Sequence, residues 1–309
     1  MEASVTLKKV GKLAGDKTIL AGLTFGIEKG SIVAIIGDND AGKSTLLRVL
    51  AGFENPEYGQ VFIHGLDSVK RRKEIRENIG YVPLSIDLDP WLTLDQNIRF
   101  IGLLYGVRNA VITQRIHSYA HRLDMSEYLN LKAGNVSSGI AKKAMIIRAL
   151  VHDPTIVILD EPTAFMDAQS HRQVWDLLKK LKSEKTIIYV SQLLHEVEQA
   201  HDRILVMDNG KIVLDGNLDK LLESTLEFHQ FQIEFEELSD ELYKKLCSIS
   251  TVVTPSRMNN IFHFYGRTRK VLFQVMQTAQ SAVMKDMNIK KLGLQDLMDS
   301  EFARKGLDE

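Results

Sequence analysis

The sequence predicts an α/β fold, in which a large domain on a mixed β-sheet, with an antiparallel β subdomain and an inserted helical subdomain, is followed by a small α+β domain. Three observations predict it. Short apolar runs alternate with helix-period segments, 31–36 before 45–50 and 156–159 before 168–183. A loop bracketed by Gly37 and Gly42 joins the first run to its helix, as expected of a buried strand that delivers a loop to the sheet's carboxyl edge. After about residue 225 the strand and helix pattern starts afresh, which divides the chain into 1–222 and 225–309.

Taken in order, 3–10 and 20–27 alternate apolar and polar residues and read as two β-strands ahead of the buried strand 31–36. Val61, Phe62 and Ile63 form a further short strand closed by His64-Gly65. The insert 86–150 is expected to be a helical subdomain. In it, 92–105 carries apolar residues at helical spacing with Thr93 or Asp95 as N-cap, 111–123 forms a second helix, and 139–150 a third. The segment 155–159 is a buried strand that ends in Asp160-Glu161. Helix 168–183, strand 186–190, helix 193–200 and a hairpin turning at Asp208-Asn209-Gly210 complete the domain. Beyond it, strands at 228–235 and 261–265 and helices at 237–246, 270–284 and 294–304 make the small domain. The sequence leaves open whether that domain binds a regulator or extends a dimer interface.

Composition narrows the function classes. A net charge of −1 gives no basic field for nucleic acid, and Lys70-Arg71-Arg72-Lys73 reads as a solvated face. The single Cys247 excludes an internal disulfide, and no Cys/His cluster suggests a metal centre. No apolar run reaches the roughly 18 residues that a membrane span needs, so a membrane role requires a partner.

Chemistry concentrates at 36–49. Gly37, four intervening residues and Gly42-Lys43-Ser44 fit the Walker A pattern. The two glycines let backbone N–H groups of Asp38, Asn39, Asp40 and Ala41 approach phosphate oxygens. Lys43 supplies a point charge to the phosphates, and the Ser44 hydroxyl is the expected Mg²⁺ ligand. The helix from Thr45 presents its positive end to the same anion. The second cluster, Asp160-Glu161, falls at a strand's carboxyl end. Asp160 is expected to hold Mg²⁺ through water, and Glu161 to polarise the attacking water. Together these residues predict a P-loop NTPase that takes ATP with Mg²⁺.

With the pieces placed, the chain resembles the ATP-binding subunit of an ABC transporter over residues 3–222, in particular stand-alone exporter-type ATPases with a C-terminal extension. Leu292-Gly293-Leu294-Gln295-Asp296-Leu297-Met298 also resembles the usual end of that extension. The resemblance places Val136-Ser137-Ser138-Gly139-Ile140 where the family signature belongs, with Ser137 and Gly139 meeting the γ-phosphate held by an opposite subunit. It places Asp167 at the end of the D-loop. It implies a homo- or heterodimer of ATPase subunits, an integral membrane transport subunit and a cytoplasmic position on the inner face of the membrane, with no nucleic acid. Apart from Ser137 and Gly139 the signature has drifted, and three positions around the nucleotide also depart from the family pattern. Ala14 replaces the aromatic ring that stacks on adenine, Leu84 replaces the Q-loop glutamine, and Gln192 replaces the switch histidine, with His195 nearby as a weaker substitute. The reading implies MgATP binding with slow hydrolysis. Two alternatives stand beside it: a pseudo-ATPase that uses nucleotide for assembly, and a soluble ABC ATPase outside transport.

Overall fold

The structure is a computed structural model that describes residues 3–191, 197, 202–218, 229–266, 270–280 and 282–291. The expected helix 193–200, except for Val197, and the tail at 292–304 lie outside the described residues. The chain divides into two units, Met1–Asp215 and Gly216–Glu309.

In the first unit, β1 (Ala3–Ala14) and β2 (Lys17–Glu28) pair antiparallel, and β4 (Tyr58–Ile63) pairs on the other side of β1. With the two-residue β5 (Leu66–Asp67) they form one four-stranded sheet in the order β2-β1-β4-β5. The second sheet has the order β10-β9-β3-β8-β7-β6. Its strands are β3 (Ile32–Gly37), β6 (Ile79–Val82), β7 (Ile156–Asp160), β8 (Thr186–Val190), β9 (Arg203–Asp208) and β10 (Lys211–Gly216). The pairs β3–β8, β3–β9, β7–β8 and β6–β7 are all parallel. Strands β3, β7 and β8 are buried on both faces, which explains their unbroken apolar runs. The β9–β10 turn has positive φ at both Asn209 and Gly210, the backbone a two-residue hairpin requires.

The antiparallel strands are the expected antiparallel β subdomain, hydrogen-bonded to one another and not to the sheet that carries Gly37. They form their own layer, and their buried Leu7, Val10, Leu23 and Ile27 share one core with Val33, Ile35, Leu46 and Leu50. Helix α1 (Lys43–Leu50) starts at Gly42, whose φ of 97° is left-handed.

The insert folds as helices α3 (Leu94–Leu104), α4 (Asn109–Arg122) and α5 (Ser138–Leu150). Of the two candidate caps, the structure uses Thr93: its hydroxyl accepts from the Gln96 N–H at 3.1 Å, and Gln96 returns the bond to the Thr93 N–H at 2.9 Å. Asp95 pairs instead with Arg99 one turn on. The stretch 74–78, which reads as helix-like just after the basic run, overlaps the short helix α2 (Arg72–Glu77). One short element escapes the sequence pattern: β6 spans only four residues and contains Gly80, where a Cβ would sit 2.2 Å from the Ala149 carbonyl. Helix α6 (Ala168–Leu181) follows β7.

The second unit orders β11 (His229–Phe235), α7 (Asp240–Cys247), β12 (Val253–Met258), β13 (Ile261–Gly266), α8 (Lys270–Thr278) and β14 (Met284–Lys291). This β-α-β-β-α-β order makes a four-stranded sheet, β12-β13-β11-β14, antiparallel throughout. Phe231, Ile233, Phe262 and Phe264 pack with Leu246 and Val275 to make its core. The expected helix over 270–284 is shorter than its apolar pattern suggests. It ends at Thr278, and Met284 begins an edge strand paired with β11.

Candidate functional site

Glycine 37 and glycine 42 are required by geometry. A Cβ at Gly37 would lie 2.1 Å from the Met207 carbonyl oxygen, and one at Gly42 would lie 2.6 Å from that of Ile19. Asp40 adopts φ 66°, a left-handed conformation that Asp tolerates better than most residues. The loop thus curls at the carboxyl end of β3, with the Asp38, Asn39 and Asp40 side chains exposed to solvent. That orientation relieves the like-charge conflict of two acids in a phosphate loop.

Beneath the loop lies a cavity of about 340 Å³ lined by Asn39, Gly42, Lys43, Ser44, Asp160 and Glu161, among others. Ala41 packs inward, and Thr45 also lines the cavity. The Lys43 ammonium donates to the carbonyls of Gly37 and Asp38, both at 2.7 Å. Burial pulls its pKa down from the ordinary lysine value, opposed by the nearby charges of Glu161, Asp160, Asp38 and Asp40. Asp160 and Glu161 reach this place because β7 runs parallel to β8, with Asp160 opposite Val190, whose own side lines the cavity. Glu161 is buried, takes φ 48° and donates its N–H to the Val190 carbonyl at 3.0 Å.

The residues fit the groups that the sequence implies. The cradle is made of glycine backbone that a side chain would fill, and an ammonium already rests on loop carbonyls. Ser44 and Asp160, which both line the cavity, carry a hydroxyl and a carboxylate, the oxygen ligands that suit Mg²⁺.

The rim differs. Leu84 is 47% exposed and lines both this cavity and a larger groove of about 1000 Å³. Ala14 ends β1 opposite Lys17 and offers no ring, while Lys17 and Ile19 of β2 line the cavity. Gln192 and His195 lie outside the described residues. Ser137 caps α5 through the Ile140 N–H. Gly139 lies beside the Phe165–Met166 backbone, where a Cβ would meet ordinary contact at 3.6 Å. Asp167 caps α6, its carboxylate accepting from the N–H groups of Gln169 and Ser170 at 2.9 Å, and these bonds hold its pKa below the usual carboxylate range.

Sequence periodicity singled out the apolar residues of α5 and missed its two buried lysines. Lys142 is 2% exposed and donates to the carbonyls of Pro83 (2.7 Å), Leu84 (3.0 Å) and Asp160 (3.1 Å). Burial pushes its pKa down to about 8 against the pull of Asp160 and Glu161. Lys143 donates to Leu123 and Gln173. The usable signal was two adjacent lysines inside an otherwise apolar helix.

A glycine loop at the end of a central parallel strand, a lysine beneath it and two acids at the end of a nearby strand define an ATP-binding cassette of the P-loop NTPase fold. The ABC transporter family profile matches residues 20–164. The ATP-binding protein NatA of an ABC transporter in Bacillus subtilis is 35% identical over 219 residues, 70% of this chain and 87% of its own. The Nod factor export ATP-binding protein I of Cupriavidus pinatubonensis is 30% identical, over 77% of this chain and 74% of its own. A solved ATP-binding subunit of an ABC transporter aligns with TM-score 0.67 at 25% identity, over 71% of this chain and 92% of its own. A dimeric cassette in a post-hydrolysis state with ADP and Pi aligns at 0.63 and 26%, over 69% and 98%. The chain belongs to the ABC transporter family, as an ATP-binding subunit. Among the described residues no helix is long and apolar enough to cross a membrane.

Proposed function

We propose that the chain binds MgATP in the cavity under its glycine loop and works as one of two ATPase subunits of a membrane exporter, at the inner face of the membrane. The observation that carries this is the convergence of Lys43, Ser44, Asp160 and Glu161 on one cavity. In this reading Lys43 leaves the carbonyls of Gly37 and Asp38 for the phosphates, and the loop N–H groups and the start of α1 hold the same anion. Ser44 and Asp160 would hold Mg²⁺, which would neutralise the phosphates. The Glu161 carboxylate takes a proton from the attacking water.

Each site is shared between subunits, with Ser137 and Gly139 of one chain serving the nucleotide of the other. Support comes from the contrast among glycines. Gly37 and Gly42 are demanded by their own chain's backbone, whereas Gly139 is not, which is compatible with a role for it toward a second chain. The dimeric form of a similar cassette agrees with this reading. The groove lined by Phe53, Ile86, Ile101, Leu104 and Phe165 offers an apolar surface to a cytoplasmic helix of the membrane subunit. Relatives named for Nod factor export support the exporting direction.

Leu84 favours a second reading, a pseudo-ATPase, because it faces the phosphate cavity with no donor or acceptor. Phosphate release by wild type beside Glu161→Gln and Lys43→Ala, alone and with the membrane partner, separates the two. Hydrolysis predicts that Glu161→Gln lowers turnover by about 10²–10⁴. Equal rates for wild type and Glu161→Gln would leave only the binding role.

A further inference from the structure

Lys142 is the one described lysine of α5 whose bonds all end on segments that the nucleotide site uses. An ammonium has three N–H groups, and here three carbonyls accept them, so the charge is buried without an unmet donor. The acceptors belong to two separate segments. Pro83 and Leu84 follow β6, and Leu84 lines the phosphate cavity while Pro83 lines the neighbouring groove. Asp160 ends β7, one residue before Glu161. The lysine itself stands on the helix that Ser137 caps and that starts with Gly139 in its first turn.

A residue kept for packing alone would be served by an apolar side chain of similar length. Such a side chain would orphan the carbonyls of Pro83 and Leu84, which lie in irregular backbone past the end of β6. Leu84 sharpens the point. Its side chain cannot carry a polar link to the site, yet its backbone carbonyl is tied to α5 at 3.0 Å.

We propose that Lys142 is a positioning residue that locks the Pro83–Leu84 loop and the Asp160 end of β7 to the signature helix. Occupancy of a subunit's own phosphate cavity is thereby transmitted to Ser137 and Gly139, which serve its partner's site. The proposal rests on the shared-site reading above. The loop is held by its backbone, so the link survives the loss of the glutamine side chain.

Hydrogen exchange on the full chain, with and without MgATP, tests it alongside direct titration of nucleotide affinity. Wild type is expected to show MgATP-dependent protection at Leu84–Ser85 and in the Gly139–Ala141 turn. Lys142→Met should still bind MgATP, with its affinity read separately by the titration, while protection of the Gly139–Ala141 turn at saturating MgATP is lost. Lys142→Arg, which keeps charge and donors, should regain it. Protection unchanged in Lys142→Met overturns the proposal, as does wild type that binds MgATP without any response in that turn. Met and Arg variants that behave alike, or that lose cooperative unfolding or MgATP affinity, mark an ordinary core lysine and also overturn it. Wild type that fails to bind MgATP sinks the nucleotide reading itself, a result distinct from all of these.

Discussion

The floor and the rim of the phosphate cavity are built from different materials. The floor is backbone: Gly37 and Gly42 where no Cβ fits, a left-handed Asp40, the start of α1 that places Lys43, and a strand end that places Asp160 by sheet register. The rim is side chain, and there Ala14 and Leu84 stand where the family resemblance expects a ring and an amide. Backbone geometry tolerates drift in sequence so long as the glycines remain, whereas a side-chain contact disappears with one substitution. Binding of phosphate should therefore be robust in this chain, while base recognition and turnover are open to tuning.

The largest effect belongs to the floor. Lys43→Ala removes a charge that would contact phosphate oxygens, and hydrogen bonds to charged groups contribute about 1.5–3 kcal/mol each. A loss of roughly 10²-fold in MgATP affinity is expected by calorimetric titration. Retained affinity would mean that the cavity does not bind phosphate through its lysine, and the contrast between floor and rim would fall.

The next effect lies away from the cavity and checks that the groove side is energetically separate. His152 stacks on Tyr105 with centroids 4.1 Å apart, and its Nε2–H donates to the Ile79 carbonyl at 3.2 Å. Burial lowers its pKa from 6.5 to about 4, helped by Lys185 and Arg115 and opposed by the Ile79 bond and Asp153. Its pKa is lower in the folded chain than in the unfolded one. The stabilisation it provides is complete above pH 6.5 and is lost as pH falls toward 4, amounting to roughly 3 kcal/mol. Urea unfolding of wild type should weaken over this window more than that of His152→Asn, and nucleotide affinity at pH 7 should not differ between them. Parallel acid slopes would show that the ring is not buried as a neutral base.

Floor and rim also differed in how far the sequence revealed them. The parallel strands were legible because burial on both faces demands unbroken apolar runs, and the glycine loop because only glycine fits its close approaches. The antiparallel subdomain was legible from the alternation of 3–10 and 20–27, although alternation does not show where its strands pair, and β4 and β5 join them in one sheet. β6 and β14 escaped for different reasons. One is four residues long around a glycine, and the other is an edge strand whose methionines and lysines continue a helical pattern that actually stops at Thr278. The lysine pair in α5 hinted at Lys142, but its partners could not be read from sequence because they are main-chain carbonyls distant along the chain.

Ala14→Tyr tests the rim directly. Ala14 lies opposite Lys17, whose side chain lines the phosphate cavity, so a ring at this hairpin end stands beside any base that extends outward from the phosphates. Base stacking on an aromatic contributes about 1–3 kcal/mol, which should tighten ATP by roughly fivefold to 100-fold and leave inorganic triphosphate unchanged. Equal tightening of both ligands would show that the new residue acts on the phosphates and not on the base.

Leu84→Gln is expected to have the smallest effect and the most specific one. The substitution returns a donor and an acceptor to the cavity's edge without touching the Leu84 carbonyl that Lys142 holds. A single hydrogen bond contributes about 1 kcal/mol, so phosphate release should rise by roughly fivefold while MgATP affinity stays put. A rise in turnover at constant affinity would identify the rim as the brake on a competent floor. No rise, with Glu161→Gln already at the wild-type rate, would place the chain among subunits whose nucleotide holds an assembly together. A gain that vanishes in Lys142→Met would further show that the returned amide works only on a loop fixed to α5.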